Sequence, residues 1–196
     1  MDLTQGTPQE KRARAKKMML WFAIGSLIMS FAALISAFIV SSKQRKDKDW
    51  LSNYELPDAF LISVVIILVS SVTFILAKRT LKRNNRQMTT VWLLSTLVLG
   101  TVFIFTQFEG FRQIIEAGYN FTGPTSNITM SYIYLIAALH IGHVLVGLIC
   151  IIVVIYNHFK QKYSANNMLG FELAANFWHF VDILWISLFL FLYFFK

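Results

Sequence analysis

The residues able to do chemistry in this chain are few, and they cluster late. His140 and His143 stand three apart, hence on one helical face, with Gly147 one turn further along. His179 and Asp182 repeat the three-residue spacing, flanked by Trp178 and Trp185, and Glu172 lies just upstream. Gln107 and Glu109 close an earlier apolar run. Two histidines on one helix suggest metal or haem ligation, and a histidine beside an aspartate suggests proton handling. The plainer reading is that these groups hydrogen-bond between helices, each bond worth about 0.6 kcal/mol in a membrane bundle.

The elements that hold these residues follow from composition. The 196 residues are 56% hydrophobic and 14% charged, against roughly 45–50% and about 25% in a soluble domain. Apolar runs at about 18–40, 59–77, 91–108, 130–155 and 177–195 are each near the roughly 20 residues a bilayer crossing needs. Segments of that length in lipid must be helices, because hydrocarbon offers the backbone no partner. The expected fold is therefore all-α, a polytopic bundle of five transmembrane helices (18–196) behind a basic arm (1–17). A first span of 23 residues exceeds the roughly 7–15 of a signal-peptide core and is read as retained.

Charge sets the topology. Twelve Lys and Arg fall on one side, in the arm (Lys11, Arg12, Arg14, Lys16, Lys17), the second loop (Lys78, Arg79, Lys82, Arg83, Arg86) and the fourth loop (Lys160, Lys162). The other side carries six, Lys43, Arg45, Lys46, Lys48, Arg112 and Lys196, offset by Asp47, Asp49, Glu55, Asp58, Glu109 and Glu116. The positive-inside rule puts the N-terminus in the cytoplasm and the C-terminus outside. The net charge of +8 is thus a topology signal with anionic lipid as its natural contact, and no nucleic-acid partner is expected. Pro57 and Pro124 mark helix starts in outer loops. Two glycosylation-like triplets, Asn120-Phe-Thr122 and Asn127-Ile-Thr129, also fall there.

Depth argues against a shared iron. Counting about 1.5 Å per residue, His143 lies about 18 Å from the cytoplasmic end of its helix and His179 within about 5 Å of it. Cys150, the single cysteine, excludes an internal disulfide and a cysteine-based metal cluster. Small pairs at four-residue spacing, Thr96 with Gly100, Ala138 with Gly142 and His143 with Gly147, favour close helix approach.

Phe177-Trp-His-Phe-Val-Asp-Ile-Leu-Trp185 resembles the YWHFVDxxW signature on the last helix of subunit III of haem-copper terminal oxidases. His140-Ile-Gly-His-Val144, followed by Gly147, resembles that family's HxxHVxxG on the preceding helix. Glu172 stands where the family has a glutamate, Leu56-Pro57 leads into a Ser/Thr-rich second helix, and Gln107 ends the third. The similarity covers the chain from about residue 18 and matches the five-helix bacterial form. Three departures stand out: Leu27 replaces a family glutamate on the first helix, Ala137-Ala138 replaces a Thr-Gly pair, and the two extra N-terminal helices of the longer form are missing.

The resemblance implies an accessory, cofactor-free subunit of a proton-pumping oxidase that reduces oxygen to water in the bacterial inner membrane. Haem and copper would lie on partner chains, subunits I and II, with a larger respiratory supercomplex as a wider partner and bound phospholipid as a ligand. Neither catalytic residues nor metal ligands are expected on this chain. Glu172, His179 and Asp182 would form a structural polar cluster at the cytoplasmic end, with proton supply as a second role; His140, His143 and Glu109 join the same candidate set, and Trp178 and Trp185 are the motif aromatics. A quinol oxidase subunit III is the alternative within the family. A small cytochrome-b-like bundle using His140, His143 and His179, or a non-enzymatic membrane scaffold, are alternatives of other classes.

Overall fold

The computed structural model describes residues 7–44, 56–121, 127–163 and 167–195. Arg45, Lys46, Asp47, Lys48, Asp49, Glu55, Thr122, Pro124 and Lys196, which entered the topology and loop assignments above, lie outside the described residues. Five helices make up the described fold: α1 Pro8–Gln44, α2 Asp58–Lys82, α3 Arg86–Glu116, α4 Ile128–Phe159 and α5 Leu169–Phe194. All five are long and apolar enough to cross a membrane.

Each helix runs past its apolar span. Hydropathy reads the thickness of the hydrocarbon, whereas the helix continues into the polar ends wherever Lys, Arg, Gln and Glu support it. The clearest case is α1. Thr7 and Glu10 close a reciprocal cap, with the Thr7 amide donating to Glu10 Oε2 at 3.0 Å and the Glu10 amide to Thr7 Oγ1 at 3.4 Å. Pro8 takes the first helical position, where its missing N–H costs nothing. The basic arm from Pro8 onward is therefore the first turns of α1, and residue 17 marks a change in composition within one continuous helix. Asn127 caps α4 by accepting from the Thr129 amide at 2.8 Å, a local role for one of the two glycosylation-like triplets.

Helices α2, α3, α4 and α5 pack in a closed ring in that order, and α1 lies outside it against α4 and α5. The buried positions explain the ring. Among them one row runs along α2 through Phe60, Ser63, Ile67, Ser70, Phe74, Ala77 and Leu81, and one along α5 through Phe171, Ala174, Trp178, Val181, Trp185, Leu188 and Leu192. Both alternate steps of three and four, the repeat that keeps one seam facing a neighbour along its whole length. The α2–α3 hairpin turns tightly at Asn84, whose φ of 55° is a left-handed conformation asparagine tolerates. Asn85 then caps α3 through the Met88 amide at 3.2 Å.

Helix α1 is attached through aromatics. Phe38 meets Tyr132, Phe191 and Phe195 edge-on, and Ser41 Oγ bonds the Tyr132 hydroxyl at 2.9 Å. At the end that carries the basic loops α1 leaves a gap instead: a cleft of about 720 Å³ between α1, α4 and α5.

Candidate functional site

The candidate residues of α5 divide between two of its faces. One face carries Glu172, His179 and Asp182 and looks along the seam with α2. At the basic end Glu172 Oε1 pairs with Lys78 Nζ at 3.3 Å, both about one-third exposed. Two turns deeper His179 Nδ1 bonds Ser71 Oγ at 2.6 Å, and Phe74 packs against the imidazole at 5.9 Å. Asp182 is 1% exposed, and neither of its oxygens has a hydrogen-bond partner among the described residues. Ser71 stands near the carboxyl, but outside hydrogen-bond geometry, with its hydroxyl engaged by His179. The three residues form a file along the seam, and the spacing of three between His179 and Asp182 does not make them a pair.

The other face holds the two motif tryptophans. Trp178 Nε1 donates to Ser70 Oγ at 3.1 Å and Trp185 Nε1 to Ser63 Oγ at 2.9 Å. The serines are seven apart on α2 as the indoles are on α5, so two antiparallel helices are fixed in one register by a repeated bond. Lys78 with Glu172 and Ser71 with His179 continue the same register towards the basic end.

Glycines receive the first of these indoles. A Cβ on Gly100 would stand 2.7 Å from Trp178 Cη2, and one on Gly147 would stand 2.9 Å from Trp178 Cε3. Only a residue without a side chain lets α3 and α4 close on the ring from both sides. Gly110 receives the Phe60 ring in the same way. At Gly142 and Gly25, by contrast, an added methyl would meet nothing within 4 Å, so the Ala138–Gly142 pair lines no close helix approach.

The histidines of α4 do not converge with His179. His140 is fully buried and stacks on Trp185 at 4.9 Å and 25°, with Phe31 and Phe103 presenting their edges. His143, half-buried, donates from Nδ1 to its own helix, to the Leu139 carbonyl at 2.7 Å; since a carbonyl only accepts, this fixes the proton on Nδ1 when the ring is neutral. The ring of Phe31 packs against it. Glu109 lies apart from both groups, in an exposed ladder with Arg112 at 2.8 Å and, through Arg112, with Glu116 at 3.2 Å. Among the described residues no three His, Cys, Asp or Glu side chains come together as a metal ion would require.

Several ties were not singled out from sequence. Thr73 meets Thr96 at 2.9 Å and Thr80 meets Thr89 at 3.0 Å, joining α2 to α3. Thr90 donates to the Arg86 carbonyl, so the His158 Nε2–H is the donor in the 3.1 Å bond that joins α4 to α3. The shared seven-residue spacing of Ser63 and Ser70 with Trp178 and Trp185 was the available signal.

The cleft beside α1 has apolar walls from Leu20, Val146, Cys150, Val153, Leu173 and Phe177. Its rim is polar: Lys16, Asn157, Lys162, Tyr163 and Asn167. Burial pushes the Tyr163 phenol above its ordinary pKa, so it stays a neutral hydroxyl donor across the neutral range. The shape and polarity suit an amphiphile with its headgroup at the basic end.

Comparison with known proteins fits this architecture. Residues 16–196 match the cytochrome c oxidase subunit III family. Cytochrome c oxidase subunit 3 of Alkalihalophilus pseudofirmus is 29% identical over 98% of this chain and 95% of its own length. The cytochrome bo(3) ubiquinol oxidase subunit 3 of Buchnera aphidicola is 30% identical over 89% of both chains. The Drosophila melanogaster cytochrome c oxidase subunit 3 is 34% identical over 68% of this chain, which spans only 48% of that longer relative. With a match that takes in all five helices and both motif tryptophans, the chain belongs to the cytochrome c oxidase subunit III family.

Proposed function

We propose that this chain serves as the accessory subunit III of a haem-copper terminal oxidase, with every redox centre carried by partner chains. The observation that supports this reading best is the use to which the motif residues are put. Trp178 and Trp185 are buried fasteners between α5 and α2, His143 is bonded to its own helix and His179 to Ser71. A cytochrome-b-like reading needs imidazoles aimed at one iron, and here they are spread over three separate environments.

In this proposal the subunit packs beside catalytic subunit I, together with subunit II and within any larger respiratory supercomplex. It sits in the bacterial inner membrane with its basic end in the cytoplasm. It holds the catalytic subunit in an active form through repeated turnover. The Glu172, His179 and Asp182 file opens at that cytoplasmic end, where carboxylates raise the local proton concentration, which gives it a secondary part in proton supply. Phospholipid occupies the cleft beside α1, its phosphate near Lys16 and Lys162. Cytochrome c is the proposed electron donor. A quinol donor is the second reading, favoured by the likeness to the Buchnera quinol oxidase subunit over most of both chains.

Comparing the oxidase with and without this chain tests the role. The initial rate of oxygen reduction is expected to survive its removal and then to decay with continued turnover. Immediate loss of the rate would assign this chain a catalytic part, and an unchanged time course would leave it no supporting one. For the polar file, Asp182→Asn and Asp182→Ala are expected to lower proton uptake or assembly; full retention of assembly, oxygen-reduction rate and proton stoichiometry would refute both roles.

A further inference from the structure

Gln107 on α3 and His140 on α4 are both fully buried. All four of their hydrogen-bonding atoms, the amide Nε2 and Oε1 and the imidazole Nδ1 and Nε2, lack a partner among the described residues. Two ties between these antiparallel helices fix their relative heights. Towards the basic end Thr90 meets His158 at 3.1 Å, and towards the other end the Tyr134 hydroxyl, which donates to the Tyr119 carbonyl at 3.2 Å, lies 3.4 Å from the Phe111 carbonyl. Interpolating between them sets Gln107 opposite position 139, next to His140. Phe103, one turn before Gln107, agrees, with its ring 5.8 Å from the imidazole.

The remaining two ring helices complete the layer. Trp185 of α5 covers one face of His140. Ser63 of α2 accepts from Trp185 Nε1 and donates its own proton to the Phe60 carbonyl at 2.7 Å. Each ring helix thus places one polar or amphipathic side chain at this height, and only the two members that face each other across α3 and α4 are left unsatisfied. They do not bond to one another, and leaving either unpaired in a dry core is costly. An amide and a neutral imidazole each offer one donor and one acceptor function. A ligand that satisfies both must donate and accept, and must be small enough to sit in a fully buried layer. Water has that chemistry, and ordered water is the usual partner of such groups.

We propose that Gln107 and His140 bind an ordered water molecule inside the helix ring, as a built site independent of the cleft and of the polar file on α5. A density map of the purified oxidase complex, at a resolution that reveals ordered waters elsewhere in this subunit, tests it directly. The expected result is a peak within hydrogen-bond distance, roughly 2.7–3.2 Å, of both side chains. Direct contact between the two side chains, or no peak between them, would overturn the site. A second arm uses Gln107→Leu and His140→Leu. Each alone is expected to abolish the peak and lower the melting temperature, and the double variant to lose less than the sum of the two single losses. Strictly additive losses would overturn the shared site.

Discussion

Trp178 and Trp185 occupy equivalent positions one heptad apart on α5, and each donates its indole proton to a serine on α2. Their surroundings differ. Trp178 is clamped between two glycines of neighbouring helices, and its layer is closed by apolar packing. Trp185 lies on an imidazole, edged by Phe60 and Phe103, in a layer that contains the unpaired groups of Gln107 and His140. One repeated bond thus supports a tight joint at one height and a polar compartment at the next. In lipid, where helices gain little from burying apolar surface against each other, close packing and hydrogen bonds decide the association. The difference between the two layers is therefore a difference in which of those terms dominates.

Substitution at the tight joint should have the largest effect. Trp178→Ala leaves a void where α2, α3 and α4 meet and is expected to destabilise the subunit by about 3–5 kcal/mol, read as loss of assembled oxidase in mild detergent. Milder losses at the Trp185 layer than at the Trp178 layer would support the contrast, and equal losses would remove it. Next come the glycines. Gly100→Ala and Gly147→Ala push a methyl into the Trp178 ring and should cost about 1–3 kcal/mol by overpacking, whereas Gly142→Ala, which meets nothing, should be neutral or gain up to about 1 kcal/mol in helix propensity. Thermal melting of the complex separates them.

The serines follow. Ser70→Ala and Ser63→Ala each remove the acceptor of a buried indole N–H, with an expected cost of about 1–2 kcal/mol. Smallest is the Lys78–Glu172 pair. At one-third exposure it should contribute about 0.2–1 kcal/mol and weaken as salt is raised, measurable by a double-mutant cycle on Lys78→Met and Glu172→Gln.

Much of this was legible from the residues themselves. Five spans followed from apolar runs that lipid allows only as helices, and the basic ends of those runs lengthened the helices rather than ending them. Gly147 and Gly100 were legible as close-approach positions, though not the indole they receive. What sequence could not supply was the facing register. A serine in an apolar helix carries little meaning until the partner helix is known, so Ser63, Ser70 and Ser71 were not singled out. For the same reason the three-residue spacing alone makes His179 a natural mate for Asp182, whereas the fold brings Ser71 of α2 to the imidazole. Glu109 is the opposite case, because Arg112 lies three residues away and a purely local rule accounts for it.

Isolation of this chain from its native membrane in mild detergent decides whether it is the haem-free companion of a redox subunit. A large haem-bearing membrane subunit should accompany it in one-to-one proportion, with all haem absorbance leaving when the two are separated. A separated chain that keeps stoichiometric haem or copper, or one that never brings down a haem-bearing partner, would show that it is not.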